Sequence, residues 1–158
     1  MDVLIIEDDD YKVELLEDYL REVYLDIVIR KAYSVKGAKK VINNFTGDAV
    51  LLDMTLPTYD ISKESSGGRP QGFGGIEVLR FMEMIENETP VIIVTQFQSF
   101  EIKDNNKETT RDISYLKELL EEEDFSNFKG IVQFSSSTEK WKSELKTFLE
   151  TFDENSNC

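Results

Sequence analysis

The stretch AVLLDMTLP, residues 49–57, decides the fold that this sequence predicts. Its four leading apolar residues are rich in β-formers and predict a strand that is buried on both faces. The run stops at Asp53, and Pro57 prevents the strand from continuing. Open α/β sheets bind ligands at the carboxyl ends of their strands, which is where this carboxylate would lie. Aspartate is also a common turn residue, so Asp53 alone does not establish a site.

Two other apolar runs end in polar side chains. The run VLII stops at Glu7 and Asp8, and the run VIIV stops at Thr95. If these strands are parallel neighbours of the Asp53 strand, all four side chains meet at one edge of one sheet. Several carboxylates in one cleft repel each other unless a cation joins them, and oxygen ligands of this kind suit Mg²⁺. The sequence therefore predicts a magnesium site formed by Glu7, Asp8 and Asp53.

The composition excludes several classes of protein. The chain has 158 residues, which suits one domain, and its hydrophobic content of 40% predicts a globular fold. Histidine is absent, which excludes Ser-His and Cys-His nucleophile pairs and His-ligated zinc. The formal net charge of −14 argues against direct binding to nucleic acid.

The termini and the hydropathy pattern predict a cytoplasmic chain without a membrane anchor. No apolar run is long enough to cross a bilayer. Met1 leads directly into a predicted strand, without the pattern of a secretory signal. The single cysteine, Cys158, cannot form an internal disulfide, which fits a reducing compartment.

Strand and helix patterns alternate five times along the chain. This alternation predicts an α/β fold with a doubly wound, five-stranded parallel sheet and helices on both faces. We expect one domain over residues 1–152 and a frayed polar tail over residues 153–158. The second strand is predicted at residues 25–29.

Two connections are longer than is usual in such folds. The glycine-rich segment 58–75 follows the third strand, and the polar segment 96–110 follows the fourth. The first is either a flexible surface loop or a lid or partner-binding loop beside the acidic cleft.

Taken together, these motifs resemble the response-regulator receiver domain, the phosphoacceptor module of two-component signalling. The resemblance covers essentially the whole chain and rests on IIEDD in the first strand, LLDMTLP in the third and IVT in the fourth. It implies a flavodoxin-like sheet with Asp53 as the phosphoacceptor. It further implies that Glu7, Asp8, Asp53 and the backbone carbonyl of Thr55 hold Mg²⁺, and that Thr95 is the hydroxyl that moves toward the phosphoryl group.

The sequence departs from this family at the end of the fifth strand. Receiver domains carry a lysine there that pairs with the phosphoryl group. Here the position falls on Phe134, or on Gln133 if the register slips by one residue. Arg69 of the glycine-rich segment is a candidate replacement. The position of the usual aromatic switch residue is occupied by Ile131.

Three functions are compatible with these observations. The first is a stand-alone phosphoacceptor receiver, not an enzyme, which a histidine kinase or phosphotransfer protein phosphorylates on Asp53 and which signals by docking to a downstream protein. The alternative is a non-phosphorylated pseudo-receiver that acts as a constitutive protein-binding module. The third is a phosphohydrolase of the haloacid-dehalogenase type. Such enzymes need a second aspartate two residues after the nucleophile, where this chain has Thr55.

Overall fold

The computed structural model of the protein describes residues 1–60, 73–96, 99–104 and 107–156; for residues 99–104, 107–112 and 154–156 it describes the backbone alone. The strands are β1 Asp2–Ile6, β2 Val28–Ala32, β3 Ala49–Leu52, β4 Val91–Thr95, β5 Ser99–Asp104, β6 Lys107–Asp112 and β7 Phe128–Gln133. The helices are α1 Asp10–Val23, α2 Val35–Ile42, α3 Gly74–Met84, α4 Ile113–Glu123 and α5 Lys140–Ser156. None of the described helices combines the length and apolar character that a membrane span needs.

Five parallel strands form one sheet in the order β2-β1-β3-β4-β7. Helices cover both of its faces, so the predicted doubly wound, flavodoxin-like architecture is confirmed. Alternate strand residues enter opposite cores because side chains of a strand point to opposite faces. Leu4 and Leu52 face α2, α3 and α4. Val3 and Leu51 face α1 and α5.

The second strand lies later in the chain than the sequence pattern predicted. We expected it at residues 25–29, whereas β2 is Val28–Ala32, and Leu25 is 96% exposed. Among the described strands, β2 pairs with β1 alone and so forms an edge of the sheet. Its side chains Arg30 and Lys31 therefore stay in solvent, and the strand lacks the apolar run that marks the central strands.

The connection after β4 contains a hairpin that the sequence analysis treated as a polar excursion. β5 and β6 pair antiparallel, with Ser99 opposite Asp112 and Asp104 opposite Lys107. The hairpin forms a separate two-stranded sheet. Most of the predicted glycine-rich loop, residues 61–72, lies outside the described residues. The backbone of α5 continues through Ser156, into the segment that we expected to fray.

Candidate functional site

Two buried carboxylates follow directly after neighbouring strands. Glu7 follows β1 and is 3% exposed, and Asp53 follows β3 and is 5% exposed. The amide of Asp53 donates to the carbonyl of Ile6 at 2.9 Å, and that of Glu7 donates to Ala32 at 3.0 Å. These bonds extend the sheet ladder past the last strand residues. They hold both carboxylates at the same edge of the sheet.

Asp8 completes an acidic cluster with these two residues. The side chain of Asp8 is exposed, and one ligand oxygen each from Glu7, Asp8 and Asp53 lies within 4.8 Å of the other two. The structure thus brings together the three carboxylates that the sequence placed at one edge. An oxygen-only set with one solvent-facing member fits Mg²⁺, which retains several waters and takes few protein carboxylates.

The acidic run after β1 separates into distinct local roles. Asp9 is the N-cap of α1, and its side chain accepts from the amides of Tyr11 at 3.0 Å and Lys12 at 3.4 Å. Glu7 Oε1 accepts from the amide of Asp9 at 3.1 Å. The helix therefore starts immediately after the cluster, and the tight turn directs Glu7 inward while Asp8 remains outside.

The segment after Asp53 is held closely against α3. The amide of Gly75 donates to the carbonyl of Met54 at 3.0 Å. A Cβ atom at Gly75 would lie 2.7 Å from the carbonyl oxygen of Asp53 and 3.0 Å from Cα of Met54, so only glycine allows this approach. Thr55 Oγ1 donates to Asp53 Oδ2 at 3.2 Å and orients the carboxylate. The predicted role of the Thr55 carbonyl as a metal ligand stays a prediction.

Lys12 brings a positive charge into the cluster, which the sequence analysis missed. Its side chain is 2% exposed, and Nζ lies 2.5 Å from Glu7 Oε2 and 3.4 Å from Asp53 Oδ1. Nζ also donates to the carbonyl oxygen of Val94 at 2.7 Å. Lys12 thus donates two buried hydrogen bonds, to Asp53 and to Val94, and forms an ion pair with Glu7. The sequence does contain a signal for this position. Lys12 lies four residues before Leu16, a buried residue of α1, so Lys12 is on the buried face of that helix.

Phe134 occupies the position where the resemblance implies a lysine. Its amide donates to the carbonyl of Thr95 at 2.8 Å, and its side chain is buried. The ammonium of Lys12 lies 5.6 Å from the centroid of the Phe134 ring, which packs at 4.9 Å on Trp141. Gln133 pairs with Thr95 and is exposed, so Phe134 is the residue that faces the site.

Arg69, the replacement for the lysine that was expected from the sequence, lies outside the described residues. Lys12 already supplies a cation, from α1 and not from the loop after β3. The cation of this site therefore lies on the buried face of the first helix and not at a strand end.

Burial and mutual repulsion perturb both buried carboxyl groups. Burial raises the pKa of Glu7 to about 8; the charge of Asp53 adds to the shift, and Lys12 opposes it. Burial also raises the pKa of Asp53, with Lys12 opposing and Asp8 adding to the shift. One ammonium thus only partly compensates three clustered carboxyl groups. A divalent cation would favour their ionised forms.

Thr95 lies at the end of β4 beside this cluster. Its side chain is fully buried, and Oγ1 has no hydrogen-bond partner within the part of the chain that the structure describes. Val94, the residue before it, provides the carbonyl that binds Lys12. The predicted switch hydroxyl therefore belongs to the residue that follows the backbone carbonyl bound by Lys12.

A cleft opens beside Asp8. It has a volume of about 380 Å³ and is lined by Asp8, Asp10, Tyr33 and Asp60. Asp60 shares a 2.5 Å hydrogen bond with Ser34, the N-cap residue of α2, whose Oγ accepts from the amide of Gly37. The cleft therefore borders Asp8, the exposed member of the acidic cluster.

Comparison with known proteins gives consistent results. A family model described as response regulator receiver domain matches residues 3–113. The chain is 31% identical to the Detocs response regulatory protein DtcB of Enterobacter cloacae over 148 residues, which cover 92% of this chain and 95% of that protein. It is 25% identical to the DtcB protein of Vibrio alginolyticus over 151 residues, which cover 94% of this chain and 99% of that protein.

A solved structure supports the same fold. The receiver domain of the Pseudomonas aeruginosa sensor histidine kinase PA1611 was solved with a magnesium ion coordinated in its active-site cleft. It superposes on this chain with a TM-score of 0.56 at 17% identity, and the match covers 96% of this chain and 95% of that one. An identity this low is informative about the fold alone.

Proposed function

Because this chain belongs to the response regulator receiver domain family, we propose that it accepts a phosphoryl group on Asp53 in the presence of Mg²⁺. The observation that carries the proposal is the buried Asp53 carboxylate, whose ligand oxygen lies within 4.8 Å of those of Glu7 and Asp8. The donor is a histidine kinase or a phosphotransfer protein, since the chain itself has no histidine. The phosphorylated form then signals by docking to a downstream protein.

In the transfer step an oxygen of the Asp53 carboxylate attacks the phosphorus atom of the donor's phosphohistidine. The new O–P bond forms as the P–N bond breaks, and the electron pair of that bond returns to the imidazole nitrogen. The product is an acyl phosphate on Asp53. Thr55 Oγ1 donates to Asp53 Oδ2 and holds that carboxylate oxygen, while Asp53 Oδ1 lies 3.4 Å from Lys12 Nζ.

Glu7, Asp8 and Asp53 would hold Mg²⁺, together with the predicted carbonyl ligand of Thr55. When bound, the ion neutralises negative charge on the phosphoryl oxygens. The oxygen-only chemistry of the cluster and the raised pKa of its buried members both support a divalent cation at this place. Thr95 would then donate a hydrogen bond to a phosphoryl oxygen, which gives its buried hydroxyl a partner.

Intact-protein mass spectrometry tests the proposal. The wild-type protein is incubated with a small-molecule phosphodonor, with and without Mg²⁺, beside Asp53→Asn and the control Asp18→Asn, which changes an exposed aspartate of α1. We expect an adduct of one phosphoryl group in the wild-type protein and in Asp18→Asn. The adduct should require Mg²⁺ and be absent from Asp53→Asn. An equal adduct in Asp53→Asn would refute the assignment of the phosphoacceptor.

A second candidate function is the non-phosphorylated pseudo-receiver. It is favoured by Phe134, which stands where the family's lysine is expected. Under this alternative the wild-type protein binds Mg²⁺, forms no adduct and binds its partner constitutively. The same mass measurement, combined with a Mg²⁺ titration, therefore separates the two functions.

A further inference from the structure

We propose that Lys12 is the phosphoryl-binding cation of this receiver and that, before phosphorylation, it competes with Mg²⁺ for Glu7 and Asp53. This inference rests on the proposed function, because it assigns a residue to the same site. The family resemblance places such a lysine at the end of the last strand of the sheet. Here the charge comes from the first turn of α1, on another element.

The position of the Lys12 ammonium group supports this assignment. Lys12 Nζ lies between Glu7 Oε2, at 2.5 Å, and Asp53 Oδ1, at 3.4 Å, with Val94 as its third partner. A phosphoryl group on Asp53 would be bonded to a carboxylate oxygen next to this ammonium. An ammonium is a compact point charge that binds phosphate well. Lys12 therefore contacts the acyl phosphate after a small movement of its side chain.

The Phe134 ring occupies the space next to the Lys12 ammonium group. The Phe134 ring lies 5.6 Å from Nζ and is packed against Trp141, so it fills the position from which the family's lysine would reach the site. A lysine there in addition to Lys12 would bring a second ammonium toward the same carboxylates, and like charges at one site are unfavourable. Phe134 instead presents an aromatic face to the cation, which is itself a favourable contact.

The charge balance of the site changes when the phosphoryl group is transferred to Asp53. With its three carboxylates ionised, the cluster carries more negative charge than Lys12 can neutralise. Lys12 and Mg²⁺ then act on the same carboxylate groups, those of Glu7 and Asp53, so each weakens the binding of the other. After transfer, the esterified Asp53 oxygen loses its charge, and the phosphoryl group brings a charge of about −1.5 to −2. The Asp53 contact of Lys12 then transfers to a phosphoryl oxygen.

Competition with Mg²⁺ and binding of the phosphoryl group predict opposite effects of removing the Lys12 charge, so substitutions of Lys12 test the proposal. Replacing Lys12 by the neutral residues Met or Gln should tighten Mg²⁺ binding by roughly tenfold, since a positive charge beside the ligands is removed. The same variants should form the acyl phosphate about a hundredfold more slowly, the usual cost of losing one group that stabilises transition-state charge. A merely structural role would weaken both properties together.

The experiment measures the Mg²⁺ dissociation constant by calorimetry and the rate of phosphorylation by intact mass. The variants are Lys12→Met, Lys12→Gln and the double variant Lys12→Met/Phe134→Lys, with Lys40→Met, an exposed lysine of α2, as the control. Lys12→Gln keeps an N–H donor on the side chain, so it remains informative if Lys12→Met does not fold. We expect the control to match the wild-type protein and the double variant to regain part of the rate.

Two outcomes would overturn the inference. Unchanged or weaker Mg²⁺ binding in both neutral variants would exclude competition, and an unchanged phosphorylation rate would exclude the phosphoryl contact. If the wild-type protein takes up no phosphoryl group, the proposed function fails, and the phosphoryl contact fails with it. Tighter Mg²⁺ binding in the Lys12 variants would even then establish the competition, so the two failures are distinguishable.

Discussion

Replacing Glu7 by glutamine should stabilise the metal-free protein at neutral and alkaline pH, although it removes a proposed metal ligand. Burial, with a further contribution from Asp53 and opposition from Lys12, raises the pKa of Glu7 from 4.5 to about 8 in the folded protein. Between these two values the unfolded chain loses the proton while the folded protein keeps it. The free energy of unfolding therefore falls as the pH rises from 4.5 to about 8. Glutamine resembles the protonated carboxyl group and does not titrate, so the variant lacks this fall.

The size of the effect follows from the shift. One pKa unit corresponds to about 1.4 kcal/mol, so the shift of Glu7 corresponds to roughly 5 kcal/mol above pH 8. Below pH 4.5 Glu7 is protonated in both states, and the variant and the wild-type protein should be equally stable. The difference should thus grow from pH 4.5 to about pH 8 and stay constant above that pH.

Urea unfolding with EDTA present, followed by the fluorescence of the single tryptophan Trp141, measures this difference. Glu17→Gln is the control of opposite sign. Partial burial opposes ionisation of Glu17, but hydrogen bonds from Lys31 and Arg21 outweigh it and lower the pKa of Glu17. That variant should be slightly less stable than the wild-type protein at neutral pH, by no more than about 1 kcal/mol.

A clear result would refute this reasoning. If the stabilities of the wild-type protein and Glu7→Gln run parallel from pH 4.5 to pH 8, Glu7 is not held protonated by its surroundings. Saturating Mg²⁺ provides a second check. It should stabilise the wild-type protein, because a ligand that binds only the folded state adds to its stability, and it should stabilise the variant much less.

Two further predictions concern the backbone and the hydroxyl beside Asp53. Gly75→Ala should destabilise the protein by about 1–3 kcal/mol in urea unfolding, because its Cβ would lie 2.7 Å from the Asp53 carbonyl oxygen. Gly37→Ala, whose nearest contacts are side-chain atoms at 3.1 Å and 3.2 Å, is the matched control and should cost less. Thr55→Val should remove the 3.2 Å hydrogen bond to Asp53 and slow phosphorylation severalfold in the mass assay, and an unchanged rate would show that this hydroxyl does not orient the carboxylate.

The central sheet could be predicted because its strands are buried on both faces. β1, β3 and β4 read as continuous apolar runs, and each stops at a polar residue. The polar residues that end these runs also indicated the edge of the sheet at which the carboxylates meet. The pattern fails at β2, an edge strand whose solvent-facing residues include Arg30 and Lys31. It fails also at the β5–β6 hairpin, a separate two-stranded sheet built from a polar segment. In both cases the strand is defined by backbone pairing and not by a buried run.

The acidic half of the site could be predicted from the sequence, and the cation could not, for a physical reason. Carboxylates at strand ends are fixed by the sheet, so their neighbourhood follows from topology alone. The positive charge must lie close to the clustered carboxylates, and several helices and strands are near enough to supply it. Phe134 occupies the position after the last strand from which a lysine would reach the carboxylates. Lys12 reaches them from α1, where it lies four residues before the buried Leu16. A lysine in the apolar stripe of a helix is costly to bury unless it meets an anion. In a sequence whose acidic strand ends lack their expected partner, such a lysine is therefore the first residue to examine.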